Sequence, residues 1–296
     1  MTNAPTVYAL GFFDGIHLAH QALLDACRTM AEDLGCQAGV ITFQNHPDER
    51  VVGTTPALIN TYDDRNRLLK YYGMEQITAL VFDQALMQTP WQTFAQALLD
   101  DHHAAGLVCG EDFRFGYLGE GTAEKLQSFC REQNIPCTVV PCQKMEDTIV
   151  SSTHIRKLLA KGELETANAF LGHPYMLTGT VVSGRQLGRT LGFPTANLSL
   201  PKGLVTLPFG VYACRAYVDG AVYLAVTNIG NRPTVGGHHA TVEAYLLDFT
   251  GDLYGKPLTL TFHAFLRGEK KFPDLQTLAQ EIAENGAQTK KILGNL

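Results

Sequence analysis

The chain of 296 residues lacks the features that mark several large classes of protein. Its seven cysteines, at 27, 36, 109, 130, 137, 142 and 214, form no Cys-x-x-Cys pair and no zinc-ligand spacing. An odd count without a secretory signal excludes a disulfide scaffold and predicts free thiols in a reducing cytoplasm. Basic residues are sparse: the formal net charge is −6, and no run of Lys or Arg exceeds two residues. A nucleic-acid surface shows a basic patch, so no nucleic-acid partner is expected. The apolar stretch before Asp14 is short and has no basic flank, which excludes a signal peptide and a membrane span and predicts no membrane partner. Internal repeats, low-complexity segments and long Gly/Ser linkers are also missing. What is present is 45% hydrophobic residues over a length that suits one large or two ordinary domains.

Two sequence grammars follow one another. Up to about residue 172, short apolar runs at 6–10, 37–43, 77–82, 106–109 and 137–141 alternate with helical periodicity at 18–34, 63–73, 90–103 and 122–133. Strands apolar without alternation, separated by helices, predict a parallel sheet covered on both faces. From about Tyr175, strands at 177–183, 209–218, 221–230, 241–248 and 258–265 follow one another with no helix between them. Asp219-Gly220 is a hairpin signal, and consecutive antiparallel strands predict a small β-barrel or sandwich. A last helix is predicted from Phe272-Pro273-Asp274, with Leu275, Leu278 and Ile282 on one apolar face. The boundary is expected at Gly172-His173-Pro174, giving domains of 1–174 and 175–296.

The richest segment is Leu10-Gly11-Phe12-Phe13-Asp14-Gly15-Ile16-His17-Leu18-Ala19-His20-Gln21. A strand, a glycine turn and a helix N-terminus make an anion site, because unpaired N–H groups and the helix dipole point at the ligand. His17 and His20 add donors at the same spot. Val150-Ser151-Ser152-Thr153-His154-Ile155-Arg156 is a second such junction, where hydroxyls and a guanidinium fork suit a polyphosphate. The turns at Phe43-Gln44-Asn45-His46-Pro47 and Gly110-Glu111-Asp112-Phe113 also follow predicted strands and are expected to line one crevice with the first turn.

In this order, the four motifs resemble the adenylyltransferase half of the bifunctional riboflavin kinase/FMN adenylyltransferase (FAD synthetase) family of prokaryotes. The second half resembles the kinase of the same family through Gly184-Arg185-Gln186-Leu187-Gly188-Arg189-Thr190-Leu191-Gly192-Phe193-Pro194-Thr195-Ala196-Asn197. Asn228-Ile229-Gly230-Asn231-Arg232-Pro233-Thr234, the strand around Glu243 and Asp252-Leu253-Tyr254-Gly255 continue that pattern. The resemblance implies a Rossmann-like α/β nucleotidylyltransferase domain, then an antiparallel β-barrel kinase domain with a C-terminal helix. It implies riboflavin, FMN, FAD and ATP as small-molecule partners, with Mg²⁺ accompanying ATP; whether the chain forms a homo-oligomer is left open.

The site residues follow from the same motifs. Gly11, Phe12, Asp14, His17, His20, Ser151, Ser152, Thr153, Arg156, Gly184, Arg189 and Gly192 are expected at ATP phosphates, with His17, His20 and Arg156 stabilising charge during reaction. His46, Asp112, Phe113, Asn228 and Arg232 are expected at the flavin. The Thr195 hydroxyl and Asn197 amide oxygen are hard donors suited to Mg²⁺. Glu243 is expected to point into the barrel, where a carboxylate needs a charged or hydrogen-bonding role; the resemblance makes it the base for the ribityl 5′-hydroxyl. Departures from the family pattern are Ala19 in place of glycine in His-x-Gly-His, Phe12 where relatives have Asn, Asn45 in the turn before His46, and Gly268. None removes a proposed catalytic group. A single-activity kinase with a decayed first domain, or a non-catalytic flavin or nucleotide sensor, stays open as an alternative.

Overall fold

The computed structural model describes residues 4–183, 193–234 and 237–294, with backbone alone at 231–234 and 237–240. The chain divides into two compact units, Met1–Leu58 with Arg65–Ser152, and Ile59–Asp64 with Thr153–Leu296. In the first, β1 (Thr6–Leu10), β2 (Gln37–Phe43), β3 (Gln76–Leu80), β4 (Ala104–Gly110) and β5 (Cys137–Val140) form one parallel sheet in the order β3-β2-β1-β4-β5. Alternate residues of β1 feed different cores. Val7 and Ala9 pack with Leu24, Cys27 and Ala31 of α1 (Leu18–Leu34), whereas Tyr8 and Leu10 pack with Phe94, Leu98 and Leu126. Both faces of the strand are therefore buried, which is why its sequence shows no alternation.

The connecting helices α2 (Tyr62–Tyr71), α3 (Trp91–Asp100) and α4 (Ala123–Glu132) lie within two or three residues of the predicted spans. The strand order reverses at β1, so the carboxyl ends of β2, β1 and β4 lie side by side at the switch point. Those three ends carry the His46, His17/His20 and Asp112 turns.

The second unit opens with α5 (Ser152–Lys161), whose first residue belongs to the first unit, and α6 (Leu164–Leu171). A closed antiparallel barrel follows, from β6 (Tyr175–Val182), β7 (Thr195–Ser199), β8 (Gly210–Val218), β9 (Ala221–Thr234), β10 (Gly237–Leu246) and β11 (Pro257–Gly268). Around the barrel the order is β6-β7-β10-β9-β8-β11, and β11 returns to β6. The expected Asp219-Gly220 hairpin is present. Val218 pairs with Ala221, and both turn residues have positive φ, as a two-residue primed turn requires. Strand β7 has no counterpart among the predicted elements, because its Thr-Ala-Asn-Leu-Ser sequence is short and carries only two strongly apolar inward positions.

Fully buried Tyr175, Tyr212, Cys214, Ala225, Val242, Ala244, Leu260 and Phe262 fill the barrel. The last helix, α7 (Leu275–Leu293), starts later than predicted. Asp274 is its N-cap, accepting from Thr277 N at 2.7 Å, so Pro273 precedes the cap and does not occupy the first turn. Leu275 is exposed, while Asn285, Gly286 and Thr289 are the residues α7 buries.

All seven cysteines are unpaired. Burial pushes the Cys27 thiol up to about 11 and raises that of Cys214 as well, so these sulfurs serve packing.

Candidate functional site

The first turn is strained and held by packing. Phe13, Gly15 and Ile16 have φ of +61°, +85° and +42°, a region that non-glycine residues rarely adopt. Phe13 and Ile16 are fully buried, and their apolar anchoring fixes the backbone against that strain. The consequence falls on the next residues. His17 is the N-cap of α1, its Nδ1 accepting from His20 N at 3.4 Å. Its ring stacks on that of His20 at 3.7 Å and 13°, and Phe13 packs edge-on to His20 at 5.2 Å. Both imidazoles are thus locked at a helix N-terminus, where fixed donors and the dipole favour anionic groups.

Asp14 is buried within the turn, at 2% exposure, and its carbonyl accepts from Ser152 Oγ at 2.8 Å. Ser152, the last residue of the first unit, thereby bonds to the first turn across 138 residues of sequence. It stands inside the helix and not before it, as does exposed Thr153, while half-buried Arg156 follows one turn on. Ser151 alone precedes the helix.

Beside this turn, the Phe12 ring is a hub. Its edge meets His46 at 4.5 Å, its face carries the guanidinium of Arg65 at 4.2 Å, and its carbonyl accepts from Thr42 Oγ1 at 3.1 Å. Arg65, buried on α2, also donates to the carbonyl of Phe43. Sequence reasoning missed Arg65. Its only signal is an arginine in an acidic first turn, Asp63-Asp64-Arg65, which reads as a solvated face. Asn45, a departure from the family pattern, holds two strand ends together, because its amide both donates to and accepts from the backbone of Phe82, at 3.0 and 2.9 Å. After β4, Asp112 is exposed, and Phe113 stacks on Phe115 at 5.3 Å.

In the barrel, Glu243 does not point inward. Its neighbours Val242 and Ala244 fill the interior, and Glu243 takes the outer face. The interior is filled by side chains such as Tyr212, Ala244 and Phe262, and an ionised carboxylate buried among them would be costly. The outer face is not open solvent here. Glu243 lines a cavity of about 310 Å³ between barrel wall and α7, with Thr195, Asn228, Val226, Tyr245 and Arg267. Strand register sets Asn197 and Asn228 directly opposite Glu243 on either side, so the three share one face.

A second cavity of about 620 Å³ is lined by Val181, Pro194, Thr195, Ala196 and the 249–254 loop. Thr195 lines both cavities. Sequence reasoning missed Arg267, Glu269, Lys270 and Phe272 in the first cavity, because their segment lies between a strand and a helix and reads as a charged linker. Lys270 and Arg267 hold the Glu281 carboxyl below the usual carboxylate range. Gly184, Arg189 and Gly192 lie outside the described residues, and Arg232 is described by its backbone alone.

The two halves match two known families. The family model for FAD synthetase matches residues 1–154, and that for riboflavin kinase matches residues 171–293. This chain belongs to the bifunctional riboflavin kinase/FMN adenylyltransferase family. Relatives of that name are similar over nearly the whole length. The one from Bacillus subtilis is 32% identical over 300 residues, covering 99% of this chain and 94% of its own. The one from Pseudomonas fluorescens is 34% identical, covering 97% and 92%. A solved structure described as a macrolide-efflux protein from Streptococcus pneumoniae is 29% identical with a TM-score of 0.88, covering 98% of this chain and 95% of that one. Among the described residues of this chain, no helix is long and apolar enough to cross a membrane.

Proposed function

We propose a division of labour for the two transfers that family membership assigns to this chain: riboflavin is phosphorylated at the barrel, and FMN is adenylylated at the α/β sheet. Both are in-line displacements at phosphorus, so positioning and charge neutralisation supply most of the catalysis. At the barrel the ribityl hydroxyl oxygen attacks the γ-phosphorus of ATP, the bond to the bridging oxygen breaks, and ADP leaves. The attacking group is neutral and loses a proton, which Glu243 accepts. The single observation that carries this reading is Glu243 on the cavity wall between Asn197 and Asn228, with Thr195 bordering both this cavity and the larger one beside it. Nucleotide in the larger cavity and acceptor in the smaller then meet at Thr195.

The donors there fit Mg²⁺. Thr195 and Asn197 carry hard oxygens, and among the described residues no group of three or more His, Cys, Asp or Glu is arranged to hold a metal. Phosphate oxygens and water would complete the shell, the usual arrangement for Mg²⁺ beside nucleotides. When bound, the ion neutralises charge on the ATP phosphates. Thr195 and Asn197 position it, and Asn228 and Arg232 orient the flavin.

At the sheet, an FMN phosphate oxygen attacks the α-phosphorus of a second ATP and pyrophosphate leaves. This nucleophile is already anionic and needs no base. His17, His20, Thr153 and Arg156 stabilise the triphosphate, Gly11, Ser151 and Ser152 shape its cradle, and His46, Asp112 and Phe113 flank the flavin. Phe12 and Asp14 support this cradle from beneath, held by Arg65 and by burial. The functional boundary is drawn at 174/175, and the free thiols suit a reducing cytoplasm.

The test is direct. Pure protein incubated with riboflavin, ATP and Mg²⁺, followed by chromatographic separation of flavins, is expected to yield FMN and then FAD. FMN alone would refute the adenylyl half; neither product would refute the kinase half, and FMN supplied in place of riboflavin then tests the adenylyl half.

A further inference from the structure

The end of β11 from Arg267 and the connection 269–274 that leads into α7 border the cavity that holds Glu243. Arg267, Glu269, Lys270 and Phe272 of this segment line it together with Leu278, Ile282 and Asn285 of α7. One carboxylate ties the segment to the helix. Glu281 Oε2 accepts from Lys270 Nζ at 2.8 Å, and Oε1 forms an ion pair with Arg267, 2.8 Å from Nε. Arg267 Nε also donates to Asn285 Oδ1 at 3.2 Å, and Asn285 is itself buried. The Phe272 ring centre lies 5.5 Å from the Arg267 guanidinium and 5.8 Å from the Lys270 ammonium.

An isolated exposed ion pair contributes little to stability. Here both oxygens of one carboxylate are engaged by cations, and the Glu281 side chain is only 16% exposed. Glu281 does not itself line the cavity. Its removal would leave two cavity-wall cations without their shared counter-charge, and the segment would lose its tie to α7.

We infer that Glu281 is a positioning residue of the kinase half: it clasps the 267–272 segment over the acceptor cavity and so sets affinity for the flavin acceptor. This rests on the reading of that cavity as the acceptor site. The larger cavity shares only Thr195 with the clasped one, and no residue of the clasp lines it. Loosening the clasp therefore weakens flavin binding and leaves the nucleotide side unchanged.

The experiment uses the full chain. Kinase rates for Glu281→Gln are measured with riboflavin varied at saturating Mg·ATP, then with ATP varied at saturating riboflavin. The KM for riboflavin is expected to rise about tenfold, the scale of one lost charge-assisted hydrogen bond. The turnover number and the KM for ATP stay within about twofold of the parent, a pattern of lost ground-state binding. Glu281→Asp recovers part of the riboflavin affinity. An unchanged riboflavin KM, or an equal rise for both substrates with a lowered melting temperature, overturns the clasp. Retained kinase turnover in Glu243→Gln instead overturns the reading of the cavity, and is measured separately from the Glu281 variants.

Discussion

The two halves of this chain handle phosphate with opposite architectures. On the proposed reading, the donors of the α/β unit stand where a strand ends and a helix begins: backbone N–H groups and a helix dipole, with the stacked side chains of His17 and His20 beside them. In the barrel, the groups proposed to act are side chains standing in one row across three strands, Asn197, Glu243 and Asn228. The difference follows from the nucleophile. A phosphate monoester arrives charged, so the first site needs only to neutralise charge. A ribityl hydroxyl arrives neutral, so the second also needs a carboxylate within reach. On this reading, the protonation state of the attacking group decides whether a site needs a base.

That contrast can be broken most sharply at Glu243. Glu243→Gln is expected to lose about 10²–10⁴-fold in kinase turnover, the usual contribution of a positioned base. The same variant supplied with FMN should make FAD at the parental rate. Flavin chromatography from the two starting substrates separates these outcomes, and parental kinase turnover would remove the base from the scheme.

The mirror experiment is on the other side. His20→Ala and Arg156→Ala should each lower FAD formation by roughly 10²-fold, the cost of one preorganised donor at developing charge. FMN formation from riboflavin should not change. Equal loss of both activities in a folded variant would show that the sites are not separate in function.

Fragments sharpen the comparison next. Asn168 on α6 donates to Phe262 O at 2.9 Å and accepts from Tyr175 N at 2.7 Å, and Leu164, Ala167, Phe170 and Leu171 are buried. A fragment of 153–296 is therefore expected to make FMN but no FAD. A fragment of 175–296 should do the same with a lower melting temperature, since it loses two hydrogen bonds of about 1 kcal/mol each and the buried apolar side chains of α6. Equal thermal midpoints in calorimetry would show that α6 adds nothing to the barrel.

The smallest effect is expected at Phe12. Phe12→Leu keeps an apolar side chain but removes the ring beneath Arg65 and beside His46, a loss of about 0.5–2 kcal/mol for a cation over an aromatic face. FAD formation should fall a few-fold with FMN formation unchanged. A variant indistinguishable from the parent in both assays would reduce Phe12 to a spacer.

Much of the first half was legible because its signals are local. The strands at 6–10 and 37–43 and the helix at 18–34 stand where periodicity puts them. Their boundaries are set by apolar runs and a glycine in the left-handed region at Gly35. In the barrel the strands were legible but their faces were not. The expectation that Glu243 points inward failed because alternation states only that it opposes Val242 and Ala244. Whether that face is interior or exterior depends on how the sheet closes. Arg65 and Glu281 were invisible for a related reason: each is a charged residue on a helix whose partners lie outside that helix, where helical periodicity gives no sign of them.

The sequence by itself determined the order of elements, the parallel character of the first sheet, the antiparallel character of the second and the motifs that identify both halves, because propensity and periodicity act over a few residues. Tertiary structure alone decided the switch point at β1, the closure of the barrel, the outward face of Glu243 and the cover that α7 places over it. Those depend on which strands meet edge to edge and which apolar face finds a partner, and burial is a property of the assembled chain, not of any one segment.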